Sequence, residues 1–127
     1  MSLNYDFKVK TNLSPKEMLK IAAKVHKTEI NEQYDSFRIL GAGVGAINYT
    51  PEIVTEWGVN RYLESYGFFP NVDVHFSQSL KDKFEISQRN IAKSVAELFK
   101  KTKDRAVFLF NDDKTIAQRL NGDLIEI

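Results

Sequence analysis

The sequence predicts an α+β fold, an antiparallel or mixed sheet of about five to seven strands with one long and one shorter helix packed on it. Three observations predict it. In Val72-Asp73-Val74-His75-Phe76, apolar and polar residues alternate, as in a strand with two different faces. Residues 79–101 carry apolar positions at helical spacing. After them, AVFLFN, KTIAQRL and DLIEI read as a closing three-strand meander whose last turn is Asn121-Gly122.

With 127 residues the chain forms one domain, 1–127, long enough to bury a single core. Hydrophobic residues make up 43% and charged residues 28%, ordinary values for a globular domain. Lys plus Arg number 18 against 17 Asp plus Glu, so no sequence-wide field favours nucleic acid or an anionic membrane. Cysteine is absent, which excludes disulfides, thiolate catalysis and cysteine-based zinc sites. The start, MSLNYDFKVK, lacks a signal-peptide core, and no window approaches about 18 consecutive apolar residues. A cytoplasmic location is expected.

Taken in order, Tyr5, Phe7 and Val9 alternate with Asp6, Lys8 and Lys10, a strand with one wet face. Ser14-Pro15-Lys16-Glu17 is a capping box with proline at the first helical position, and Met18, Leu19, Ala22 and Val25 line one side of the helix it opens. Residues 28–32 offer a short strand. Phe37–Leu40 and Val44–Tyr49 read as two more, with Gly41 and Gly43 between them. Residues 51–66 mix helical and strand spacing around Gly58, a connection containing a short helical piece. In the long helix, Ser79 and Asp82 form a capping pair, and Phe84, Ile91, Val95 and Leu98 make the apolar stripe. Glu85–Arg89 and Glu97–Lys101 are spaced for ion pairs, and Lys100, Lys101 and Lys103 suit the negative helix end. Ala106–Phe110 is nearly unbroken apolar, as in a central strand.

Few residues invite chemistry. Gly41-Ala42-Gly43-Val44-Gly45-Ala46 matches a dinucleotide-binding pattern in letters, but Pro51 would sit inside the helix that must present its amides to a pyrophosphate, so the segment reads as a turn or bulge. Asp73 and His75 share a strand face and could hold a metal only if His26 joined them; a polar face wet by solvent is the simpler reading. Asp112-Asp113 are turn formers between two strands. No catalytic, cofactor-binding or metal residue is assigned, and no cofactor is expected.

Trp57, Tyr62, Tyr66, Phe68 and Phe69 concentrate aromatic surface within thirteen residues. They either wedge the connection against the sheet or supply partner-binding anchors, for which Trp57, Tyr62 and Tyr66 are the candidates. The segment Gly67-Phe68-Phe69-Pro70 through Phe76, then a helix, Ala106-Val107-Phe108-Leu109-Phe110-Asn111, and a strand containing Arg119 ahead of Asn121-Gly122-Asp123-Leu124 resembles bacterial immunity proteins of the Sit type. The resemblance covers roughly the C-terminal half. It implies a non-enzymatic protein that binds and neutralises a cognate toxin delivered by neighbouring cells, with no nucleic-acid or membrane partner. The alternative is a small-ligand or protein-interaction module; an enzyme using the glycine segment or Asp73 and His75 ranks last. With a net charge near +1, affinity for a toxin is expected to rest on buried aromatic area more than on electrostatic steering.

Overall fold

The computed structural model describes residues 4–27, 30–33, 36–39, 43–48, 56–77, 83–111, 114–120 and 124–126. Strands β1 (Asn4–Val9), β2 (Ile30–Gln33), β3 (Ser36–Ile39), β4 (Val44–Asn48), β5 (Val72–Ser77), β6 (Ala106–Phe110), β7 (Lys114–Arg119) and β8 (Leu124–Glu126) form one sheet in the order β2-β3-β4-β5-β1-β6-β7-β8. Every pairing is antiparallel. Two meanders, β2 to β5 and β6 to β8, are thus joined by the strand that comes first in the sequence. The α+β fold is as expected, with eight strands where about five to seven were expected, and each segment read as a strand takes a place in the sheet.

Helix α1 (Pro15–His26) begins where the capping box predicts. The Glu17 amide donates to Ser14 Oγ at 3.1 Å, and the Ser14 amide donates to Glu17 Oε1 at 3.3 Å. It ends on Lys27, whose backbone is left-handed at φ 55°. Helix α2 (Glu56–Tyr66) replaces the expected connection with its short helical piece. Gly58 lies inside it, although a helical glycine costs about 1 kcal/mol relative to alanine. In its C-terminal half, Tyr62 sits over Lys8 and Tyr66 packs beside Phe68.

Helix α3 (Phe84–Lys101) starts later than the sequence suggested. Its N-cap position is Lys83, which makes no side-chain capping bond, and Ser79 and Asp82 lie outside the described residues. Phe84 is not part of the buried stripe: it is 56% exposed, and the buried face runs through Ser87, Ile91, Ser94, Val95, Leu98 and Phe99. Glu97 pairs with Lys100 at 4.0 Å, one position short of the expected Lys101.

Helices α1 and α3 cover one face of the sheet. There Phe7, Val9, Val74 and Phe76 meet Met18, Leu19 and Ala22 of α1 and Ile91, Val95, Leu98 and Phe99 of α3 in a single apolar core. The Phe7 and Phe99 rings pack edge to face with centroids 4.9 Å apart. At the end of α3, buried Arg119 of β7 gathers the last carbonyls. Its Nη1 donates to Phe99 O at 2.6 Å, its Nη2 to Thr102 O at 2.8 Å and its Nε to Asp104 O at 2.8 Å. Burial lowers the Arg119 pKa, and Asp104 acts in the opposite direction; a guanidinium remains charged regardless. On the other face, Val107 and Leu109 of β6 bury Phe68, with Tyr66 and Leu120 beside them. This second, smaller core is what α2 and the segment after it cover.

Candidate functional site

On the face beneath α2, strand pairing places two charged pairs directly opposite each other. The register sets Asp6 against His75 and Lys8 against Asp73. Lys8 Nζ lies 3.1 Å from Asp73 Oδ2, and Asp6 Oδ1 lies 2.8 Å from His75 Nδ1. Lys8, Asp73 and Asp6 keep only 2%, 4% and 5% of their surface. The wet strand face expected at Asp6, Lys8 and Asp73 is therefore corrected: α2 covers it, and the Tyr62 ring sits over Lys8 with its centroid 5.4 Å from Nζ. Only His75 reaches solvent, with 48% of its side chain exposed.

Burial is the largest influence on the Asp6 carboxyl and pushes its pKa up. The hydrogen bond with His75, the Lys8 ammonium, the His75 charge and a hydrogen bond with Asp73 together outweigh it, so the pKa lies below the ordinary value. Two carboxyl groups, an ammonium and an imidazole thus share one patch of sheet, Lys8 against Asp73 and His75 against Asp6. Opposite charges set directly across two strands help to fix their register.

His26 does not join Asp73 and His75. It belongs to the α1–α3 interface, where Nδ1 lies 2.9 Å from Ala22 O and 3.4 Å from Ser94 Oγ. Among the described residues, no group of three or more His, Asp or Glu could hold a metal ion. The glycine segment leads into a strand, not a helix. Gly43 has φ +52°, and its carbonyl accepts from the Ser77 amide at 2.9 Å and from Ser77 Oγ at 3.0 Å. A Cβ there would stand 2.5 Å from Ser77 Oγ, so this glycine permits a close backbone approach. Gly41, Ala42, Asp112 and Asp113 lie outside the described residues.

The aromatic candidates gather on α2 and the turn after it. Tyr62 and Tyr66 are half-buried, one helical turn apart, with ring centroids at 6.3 Å. Tyr62 meets Phe69 edge-on at 5.9 Å, and Tyr66 lies 6.5 Å from Phe68. Trp57 is in the first turn of the same helix, and its side chain is outside the described residues. Leu63, 46% exposed, faces outward from α2. The helix therefore sets two partly accessible tyrosines and an exposed leucine above a buried, charge-paired floor.

The SitI3-like family matches residues 3–126. The chain belongs to that family. The match bears out the resemblance to Sit-type immunity proteins and extends it from the C-terminal half to nearly the whole sequence. No curated protein and no solved structure matches the chain. No helix among the described residues is long and apolar enough to cross a membrane.

Reading single strands missed the buried charge cluster and the role of Arg119. A signal for the first was present: Asp6-x-Lys8 and Asp73-x-His75 complement one another when the strands run antiparallel. For Arg119 no local signal exists, because its partners come from the end of a helix that precedes it by a full strand.

Proposed function

We propose that this protein binds and neutralises a cognate bacterial toxin in the cytoplasm, acting by occlusion and not by catalysis. The observation that carries the reading is membership of the SitI3-like family across residues 3–126. The contact surface is proposed to include α2, with Tyr62 and Tyr66 as anchors and Trp57 beside them. Large amphipathic rings held by their neighbours lose little conformational freedom on binding, which suits them to an interface. The test is co-expression with the toxin encoded by the adjacent gene. Cells making both proteins are expected to survive, and the two proteins are expected to elute together on size-exclusion chromatography. Equal killing with and without this protein, and no complex, would end the proposal.

A further inference from the structure

An open groove of about 680 Å³ lies at the end of the sheet, between the β1–α1 connection and the end of α3. Lys10, Lys101 and Lys103 line it, with Phe69 and Asn71 from the segment after α2. Its wall is well fixed: the Thr11 amide donates to Asn71 Oδ1 at 2.9 Å, and Asn71 Nδ2 donates to Thr11 O at 2.8 Å.

The three lysines are exposed, and none has a side-chain partner among the described residues. The single acidic residue lining the groove, Asp104, is already engaged by its neighbour: its Oδ1 accepts from the Arg105 amide at 2.7 Å and lies 3.8 Å from Arg105 Nε. Nor does the negative end of α3 occupy Lys101 and Lys103. Arg119 already donates to the terminal carbonyls from the buried side, and Thr102 donates its amide and its hydroxyl to Leu98 O at 3.0 and 2.7 Å. The lysines are a surplus of positive charge gathered at one place in a chain whose total is +1. Lys101 also borders a second groove of about 660 Å³, flanked by Lys20, Lys24 and Lys93, with Glu97 as its acidic member.

We propose that the groove at the end of the sheet receives an Asp- or Glu-rich segment of the protein partner. This rests on the toxin-binding reading and gives it a chemical direction: the partner's complementary surface is acidic. Charge complementarity argues for the occupant, and continuity argues for the place, since Phe69 in the groove packs against Tyr62 of α2. A polyphosphate backbone fits less well. The nearby arginines are committed, Arg105 to Gly67 O at 3.0 Å and to the Phe68 ring, Arg119 to the α3 end, so no guanidinium fork faces the groove. A single aromatic ring, Phe69, also falls short of the series of stacking platforms on which single strands bind.

Two titrations test the proposal. In the first, full-length protein is titrated with hexaglutamate, inorganic phosphate and a single-stranded oligothymidylate while the backbone amide resonances of Asn12, Asn71, Lys101 and Lys103 are followed. Saturable shifts with hexaglutamate are expected, and their loss in the Lys10→Glu, Lys101→Glu, Lys103→Glu triple variant. All three positions are exposed, so the variant should keep its thermal midpoint; if the midpoint falls, the Lys103→Glu single variant takes its place. No saturation by hexaglutamate, or tighter saturation by phosphate or the oligonucleotide, overturns the proposal. In the second, the triple variant is expected to bind an inactivated form of the adjacent-gene toxin roughly tenfold or more weakly than wild type, with a flatter salt dependence. Equal affinity and equal salt dependence would overturn the groove while leaving the toxin reading intact. If hexaglutamate saturates the groove but wild type does not bind the toxin, the groove's preference for acidic chains stands and the toxin reading fails.

Discussion

Within β1 and β5, residues on the two faces of the sheet are buried to similar depth by opposite chemistry. Under α1 and α3, Phe7, Val9, Val74 and Phe76 are sealed in an apolar core. Under α2, the intervening residues Asp6, Lys8 and Asp73 of the same two strands are sealed almost as completely while bearing charge. Burial alone therefore does not say what holds a face together. The apolar face gains from every methylene removed from water. The charged face gains little net energy from its ion pairs, because desolvation opposes their attraction; it is sensitive instead to the loss of any one partner.

That contrast gives its own tests. The largest effect is expected from Lys8→Ala, which leaves Asp73 buried without its 3.1 Å ammonium partner. It should cost roughly 3–5 kcal/mol in denaturant melts. The double replacement Lys8→Met with Asp73→Leu should recover most of that loss, since exchanging a buried pair for apolar residues is often neutral. If the double variant is as unstable as the single one, the pair contributes more than mutual neutralisation. On the opposite face, Leu98→Ala empties a fully buried site and should cost about 2–5 kcal/mol, with no such rescue by a second truncation.

A smaller effect separates the faces by pH. The Asp6 pKa is lower in the folded chain than its ordinary value of 3.8. Its contribution is thus fully present above that value and is lost as pH falls through the folded one. Acid melts of Asp6→Asn should accordingly show a weaker loss of stability in that window than wild type. An identical acid profile would mean that the Asp6–His75 pair adds nothing to the fold. The smallest effect is expected at Lys93→Ala, on the exposed side of α3, within about 0.5 kcal/mol of wild type. A larger loss there would show that the outer face of α3 is not simply solvated.

Local devices were legible in the sequence. The capping box of α1 depends on residues 14–17 alone, so Ser14 and Glu17 announce it without knowledge of the rest of the chain. Strand alternation in β1 and β5 was equally plain, but alternation says only that two faces differ, not that the polar face is dry. What dries it is α2, which begins at Glu56, far beyond the end of β1 at Val9, and α2 itself is obscured by Gly58 and by apolar spacing that fits either period. The stripe of α3 was misplaced at its start because Phe84 has the right spacing yet stands in the exposed first turn. Tyr62 and Tyr66 were visible as an aromatic cluster; that Tyr62 stands over Lys8 depends on a contact between distant segments.

The central position of β1 also has a consequence in time. This strand leaves the ribosome before the strands that flank it, and its hydrogen-bonding partners are β5 on one side and β6 on the other. At translation speeds of about 5–20 residues per second, roughly 5–20 s separate the synthesis of β1 from that of β6. Through that interval the β6 edge of β1 lacks its native neighbour, while β5 for the other edge is made earlier. The sheet cannot be assembled by extension from its first strand, because its middle is made early and closed late. Contacts this distant in sequence also slow refolding of the finished chain. Nascent chains arrested before β6 should remain open to protease where the released protein resists it.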